Sequence, residues 1–289
     1  MRTFKPPLGG FSFLEKRGTM WYNHPMPQGG EGSVNMLLHA FNDAPDKPVI
    51  LLLHGGGLSW WSVQGVASYM TDEFRVIAPI IDGHGESADE TFETIEVCAS
   101  KLIRLVDERF GGKVYALCGL SLGAQIAVEV LSQRPDIARY AVIESALVVR
   151  MPLLGALVAP TYHMMYGLIK KRWFSNFQAR ALKLPEELFE PYWLDTARMK
   201  KQSLINLGRS NADYLLKPQI AAVTAKTLVL AGEKEPGCMR RSAQLLHAAI
   251  PKSKLMIMKD VGHGELSLCC PSRYVELLHE VFLEETTNL

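Results

Sequence analysis

The pentapeptide Gly119-Leu120-Ser121-Leu122-Gly123 constrains this chain more than any other stretch. The apolar run Val114-Tyr115-Ala116-Leu117-Cys118 precedes it and reads as a buried strand, and residues 124–133 follow as a helix. A chain that turns from strand to helix within one residue holds that residue in a strained backbone conformation. Glycine on either side lets the two elements approach closely. The Ser121 hydroxyl then stands above the sheet. The helix N-terminus beside it offers unpaired N–H groups and positive potential to a developing anion. A serine in a glycine-rich turn also serves as a plain helix cap, so the flanks and the partner motifs carry the weight.

Those flanks alternate between strand and helix. Residues 48–53 form a continuous apolar run, as in a strand buried on both faces, and lead into His54-Gly55-Gly56-Gly57. Residues 74–80 read as a strand ending at Asp82-Gly83-His84-Gly85-Glu86-Ser87. Residues 91–110 keep Ile95, Ala99, Leu102 and Val106 on one helical face, closed by Gly111. Strands follow at 140–143, 227–231 and 255–258. A helix is expected near 240–249, and another from Pro271 with Tyr274, Leu277, Leu278, Val281 and Phe282 inward. This is the α/β class, a mostly parallel sheet with helices on both faces. Residues 11–20 and 34–41, separated by a glycine-rich turn at 28–32, are expected to add an antiparallel edge.

Charge narrows the partners. Lys and Arg total 31 against 30 Asp and Glu, a net of +1, which disfavours nucleic acid and gives no general attraction to an anionic membrane. The longest apolar stretch, 146–169, is interrupted by Arg150, Pro152, Gly155, Pro160 and His163, so stable membrane insertion is not expected. The first residues lack the apolar core of a signal peptide. Cys98, Cys118, Cys238, Cys269 and Cys270 show no metal-ligand spacing and are odd in number, which suits a reducing cytoplasm.

Taken together, His54-Gly55-Gly56-Gly57, Asp82-Gly83-His84-Gly85-Glu86-Ser87, the Ser121 turn, Gly232-Glu233-Lys234-Glu235 and Gly262-His263-Gly264 resemble the α/β-hydrolase superfamily, in particular its cap-bearing, esterase-like branch. The resemblance implies a core of about eight strands in two parts, 1–145 and 226–289. Residues 146–225 would be a helical cap inserted after the sixth strand. It implies no cofactor and no metal. It does not imply one reaction, because this fold hosts many.

Within that resemblance Ser121 is the expected nucleophile and His263 the base that takes its proton. Glu235 is the expected acid that orients the imidazole, although this branch more often carries Asp there. Glu144, ending the 140–143 strand, is its rival. The N–H of Leu122 and that of Gly56, or alternatively Gly57, are expected to form the oxyanion hole. His54 and His84 read as structural. Part of the stretch holding Leu153, Leu154, Leu157, Val158, Tyr162, Met164, Met165 and Tyr166 is expected to roof an apolar acyl or aromatic pocket over Ser121, unless these residues merely dock the insertion on the sheet. Trp60 or Trp61 is a candidate for the pocket mouth. The expected activity is hydrolysis of a small or medium apolar carboxylic ester. Cleavage of a carbon–carbon or peptide bond by the same residues is the alternative, as is a non-catalytic ligand receptor on the same fold.

Overall fold

A computed structural model describes residues 36–283. In chain order the elements are β1 (Leu38–Ala40), β2 (Val49–Leu53), α1 (Gln64–Ser68), β3 (Arg75–Pro79), α2 (Ile95–Phe110), β4 (Val114–Leu120), α3 (Leu122–Gln133) and β5 (Ala138–Glu144). Four helices come next: α4 (Pro152–Ile169), α5 (Arg172–Ala181), α6 (Phe189–Arg198) and α7 (Lys201–Asp213). The chain then returns through β6 (Lys226–Gly232), α8 (Gly237–Ala249), β7 (Ser253–Met258), α9 (Glu265–Cys269) and α10 (Pro271–Leu283).

The described strands form one sheet of seven in the order β1-β3-β2-β4-β5-β6-β7. All pairs are parallel except β1 with β3, where Leu38 faces Pro79. The antiparallel edge expected from residues 34–41 is therefore present as β1. Its expected partner at 11–20 lies outside the described residues, and the strand count is seven rather than about eight.

Side chains alternate across the pleat, so each central strand feeds two cores. Leu51, Leu53, Leu117, Ala141 and Ile143 pack with α2 and α3 on one face. Ile50, Leu52, Ala116, Cys118, Tyr140 and Val142 pack with α1 and α10 on the other. Burial of both faces explains why these strands read as unbroken apolar runs. Thr94 caps α2 by accepting the Val97 N–H at 3.2 Å, and Gly111 ends it in the left-handed region at φ 66°.

The parallel strands run in one direction, so the loops after β2, β4, β5, β6 and β7 share one rim. Among the described residues no helix is long and apolar enough to cross a membrane. Helix α4 is continuous through Pro160, which the sequence treats as an interruption.

Candidate active site

The turn after β4 is as tight as its sequence demands. Ser121 has φ 53° and ψ −111°, outside the regions that L residues ordinarily occupy. A Cβ on Gly119 would lie 2.4 Å from the Gly123 carbonyl oxygen, and one on Gly123 would lie 2.4 Å from the Leu53 carbonyl oxygen. Only glycine lets β4, α3 and the end of β2 come this close. The Ser121 N–H donates to the Glu144 carbonyl oxygen at 2.9 Å, and its own carbonyl accepts the Gln125 N–H at 2.9 Å. The turn is thus tied to β5 on one side and opens α3 on the other.

Two further loops on that rim complete a chain of contacts. His263, in the turn between β7 and α9, places Nε2 2.9 Å from Ser121 Oγ and Nδ1 2.8 Å from Glu235 Oε2. An ionised carboxylate only accepts, so Nδ1 carries the hydrogen and the neutral ring's Nε2 accepts from the serine hydroxyl. The other Glu235 oxygen accepts from the Gly232 N–H at 2.6 Å and from Ser145 Oγ at 2.8 Å. Burial is the largest single influence on Glu235 and pushes its pKa up. The imidazole, the Gly232 N–H and the Ser145 hydroxyl outweigh it and hold the carboxyl below its ordinary value. Its side chain is fully buried, whereas that of His263 is 36% exposed.

The structure therefore brings Ser121, His263 and Glu235 into direct contact. Ser145 is a site residue that the sequence reading missed. It follows Glu144 at the end of β5 with φ 57°, and the only signal for it was that position on the loop-bearing rim. The rival acid Glu144 is also buried beside these groups but points elsewhere. Its Oε1 accepts the Ser267 N–H at 3.3 Å, and its Oε2 has no hydrogen-bond partner. Burial pushes its pKa up to about 7.

Gly56, Gly57, Ser121 and Leu122 line a cavity of about 250 Å³ together with residues of α4 to α7, among them Tyr162, Gln178, Tyr192 and Leu204. Leu122 is the first residue of α3, so its N–H has no acceptor within that helix. Gly56 sits over it: a Cβ there would be 3.8 Å from the Leu122 Cβ. A larger cavity, about 920 Å³, opens at the opposite rim, where β2, β4, β5 and β6 begin. It contains none of the candidate residues.

Of the eight apolar residues read as partly roofing a pocket or else docking the insertion, Tyr162 lines the cavity. Leu153, Leu154, Leu157 and Met164 point outward to solvent, because one helix presents only one face to the core. Neither tryptophan lines the cavity. Trp60 stacks on His39, and buried Trp61 donates its Nε1–H to Asp195 of α6 at 2.7 Å.

His54 and His84 are both buried. His54 Nε2 accepts the Ile81 N–H at 3.1 Å, so its Nδ1–H donates to the Gly55 carbonyl at 2.9 Å. Burial lowers its pKa to about 3, with His84 reinforcing the effect, and burial lowers His84 to about 4. Both rings are neutral fixtures of the loops around the glycine run. Among the described residues no cluster of three or more His, Cys, Asp or Glu is placed to hold a metal.

Comparison with known proteins agrees with this architecture. An uncharacterized protein of Mycobacterium tuberculosis is 24% identical over 275 residues, covering 86% of this chain and 78% of that one. An esterase from Thermogutta terrifontis superposes with a TM-score of 0.68 at 19% identity, over 85% of this chain and 93% of its own. The enol-lactonase of Burkholderia xenovorans superposes with a TM-score of 0.71 at 16% identity, over 86% and 96%. The profile of the Alpha/beta hydrolase family matches residues 50–276, from β2 into α10, and with that span matched the chain belongs to the α/β-hydrolase family.

Proposed function

We propose that this chain is a serine hydrolase that cleaves a small or medium carboxylic ester through an acyl-enzyme. The observation that carries the reading is the unbroken contact chain from Ser121 Oγ through His263 to Glu235, with Ser121 on the wall of a cavity. Ser121 Oγ attacks the ester carbonyl carbon while its proton passes to His263 Nε2. The carbonyl oxygen becomes an oxyanion, which the N–H groups of Leu122 and Gly56 stabilise. Collapse breaks the bond to the alcohol oxygen, which leaves with the proton from Nε2. A water then gives its proton to His263 and adds to the acyl carbon. The acid departs as Ser121 recovers its hydrogen. Glu235 stays ionised throughout and keeps Nδ1–H pointing at itself. No step calls for a metal or cofactor.

Residues 146–225 act in this reading as a helical cap between core parts 1–145 and 226–289. Its support is that α4, α5, α6 and α7 each place a side chain on the cavity wall. The volume of about 250 Å³ suits a short acyl group. All five cysteines are free, in keeping with a reducing cytoplasm.

Labelling with a fluorophosphonate followed by peptide mass mapping tests the reading. The label is expected on the Ser121 peptide and absent from the Ser121→Ala variant. Folded protein with no label on that peptide overturns it. An ester that raises thermal stability yet is never consumed supports the receptor alternative instead. A panel of ester, amide and vinylogous diketone substrates separates the bond types.

A further inference from the structure

The outer face of α4 exposes more large apolar side chains than a solvent-facing helix normally does. Pro152–Ile169 contains no Asp, Glu, Lys or Arg, and His163 is its one titratable imidazole. Its solvent side nonetheless carries Leu153, Leu154, Leu157, Met164 and Leu168, with Leu153 at 76% and Met164 at 81% exposure. A solvent-facing helix side is normally polar, and an exposed apolar tract of this kind marks an interaction site. Two residues after α4 ends, α5 begins. Trp173 and Phe177, one helical turn apart, are 65% and 68% exposed there.

Charge is segregated around the same tract. Residues 145–185 contain six cations, Arg150, Lys170, Lys171, Arg172, Arg180 and Lys183, and no Asp or Glu. Three of the six are answered by acids from elsewhere in the chain: Arg150 by Asp213, Arg172 by Glu190 and Lys183 by Glu265. Lys170, Lys171 and Arg180 have no carboxylate partner among the described residues. Lys170 and Lys171 sit at the α4–α5 turn, between Leu168 and Trp173. Uncharged apolar side chains bordered by unneutralised cations are what an interfacial element presents to anionic lipid: the apolar groups enter the acyl boundary and the cations meet the headgroups. The net charge of +1 hides this local arrangement.

We infer that the outer faces of α4 and α5 dock this protein peripherally on an anionic lipid surface. Without acids of its own, the tract has no ready complement for the cations of a second copy, which favours lipid over self-association. The same two helices supply Tyr162, Ile169 and Gln178 to the wall of the Ser121 cavity. Resting on the ester-hydrolase reading above, docking sets that cavity beside the bilayer. The substrate class is then an amphiphilic ester whose acyl end enters the cavity while the rest remains in lipid. Docking is peripheral, since no described helix is long and apolar enough to span.

Flotation of the full chain with two vesicle types tests this, one of phosphatidylcholine and phosphatidylglycerol in equal parts and one of phosphatidylcholine alone. Binding is expected to the mixed vesicles, weaker to the neutral ones, and to fall as salt is raised. Met164→Glu and Trp173→Glu, both at exposed positions, are expected to weaken it by ~10-fold or more. Leu245→Glu, an exposed leucine on α8, should leave it unchanged. Lys170→Glu with Lys171→Glu should abolish the preference for anionic vesicles while leaving Leu153, Leu157, Met164 and Trp173 in place, although Lys170 gives up its position 4.7 Å over the Tyr166 ring. No flotation of the parent with either vesicle overturns the proposal, as does flotation indifferent to Met164→Glu and Trp173→Glu. Sedimentation showing a dimer that Trp173→Glu converts to monomer assigns the face to a second copy and overturns it too. The Ser121→Ala variant should float like the parent, so loss of docking and loss of the hydrolase reading are read separately.

Discussion

Glu144 accepts the Ser267 N–H at 3.3 Å, four residues beyond His263 in the chain, yet makes no hydrogen bond to the imidazole. Glu235 makes that bond at 2.8 Å. Two buried carboxyls thus flank one histidine, and their surroundings shift their pKa values in opposite directions. Glu235 is held ionised by three donors, while Glu144 has one weak donor and an orphan oxygen. Glu235→Gln is expected to lower ester kcat by roughly 10³- to 10⁴-fold, because the amide's N–H₂ favours the wrong imidazole tautomer. Glu144→Gln is expected to cost less than about 10-fold, since the amide oxygen still accepts from Ser267. Steady-state kinetics on both variants decides this, and the reverse ranking would make Glu144 the acid.

Ser121→Ala is expected to fold normally and lose ester turnover by ~10³-fold or more. The position also stores strain, because φ 53° is unfavourable for any side chain. Ser121→Gly should therefore be equally inactive but about 1 kcal/mol more stable than Ser121→Ala. Urea unfolding of the two inactive variants measures the difference.

Gly123→Ala attacks the packing of the turn and leaves its chemistry alone. Its Cβ would meet the Leu53 and His54 carbonyl oxygens at 2.4 and 2.6 Å, both backbone atoms that cannot swing away. Destabilisation of about 2 kcal/mol or more is expected. The loss of activity should exceed that predicted from the unfolded fraction alone, because α3 must shift and carry the Leu122 N–H with it.

Much of this site was legible because its residues sit in turns that tolerate few alternatives. Gly119 and Gly123 cannot be replaced without a backbone clash, so the pattern around Ser121 survives as sequence. His263 lies between two glycines, and Gly264 has φ 67°. Ser145 left no such trace, because a serine after a buried strand has many uses and only the fold aims it at Glu235. The outer face of α4 left no trace for a related reason. An uncharged run of apolar residues shows no periodicity that separates a cavity wall from an exposed face. Only packing of α4 against α7 settles which side is which, as at Gly208, where a Cβ would lie 2.7 Å from Val158.

Buried Glu129 on α3 ties down the segment between α7 and β6. Lys217 Nζ lies 2.6 Å from it, Tyr214 donates at 3.1 Å and Gln133 at 2.8 Å. Lys217 is 37% exposed while the Glu129 side chain is fully buried, so removing the cation strands the anion. Lys217→Met is expected to destabilise the protein by about 3 kcal/mol. Glu129→Gln with Lys217→Met should recover most of that loss, which a double-mutant cycle in thermal or urea unfolding reads directly.

Stability should also depend on pH with a slope that Glu144 sets. Burial raises its folded value from 4.5 to about 7, so between those values the folded chain holds a proton that the unfolded chain releases. Stability from this group therefore falls as pH rises through that window. His54 and His84 act in the opposite sense. Their folded values, about 3 and about 4, lie below the ordinary 6.5, so the unfolded chain takes up protons that the folded one refuses. Stability from these two falls as pH drops. Near pH 5.5, unfolding gains close to two protons at His54 and His84 and loses about one at Glu144. Glu144→Gln deletes the opposing proton, so net uptake rises by about one. Near pH 5.5 the dependence of stability on pH should then steepen by ~1.4 kcal/mol per unit. His39, also lowered by burial, adds to both proteins alike and leaves the difference intact. Urea titrations across that window give both slopes, and identical slopes for parent and variant would mean that Glu144 is ionised in the folded protein throughout.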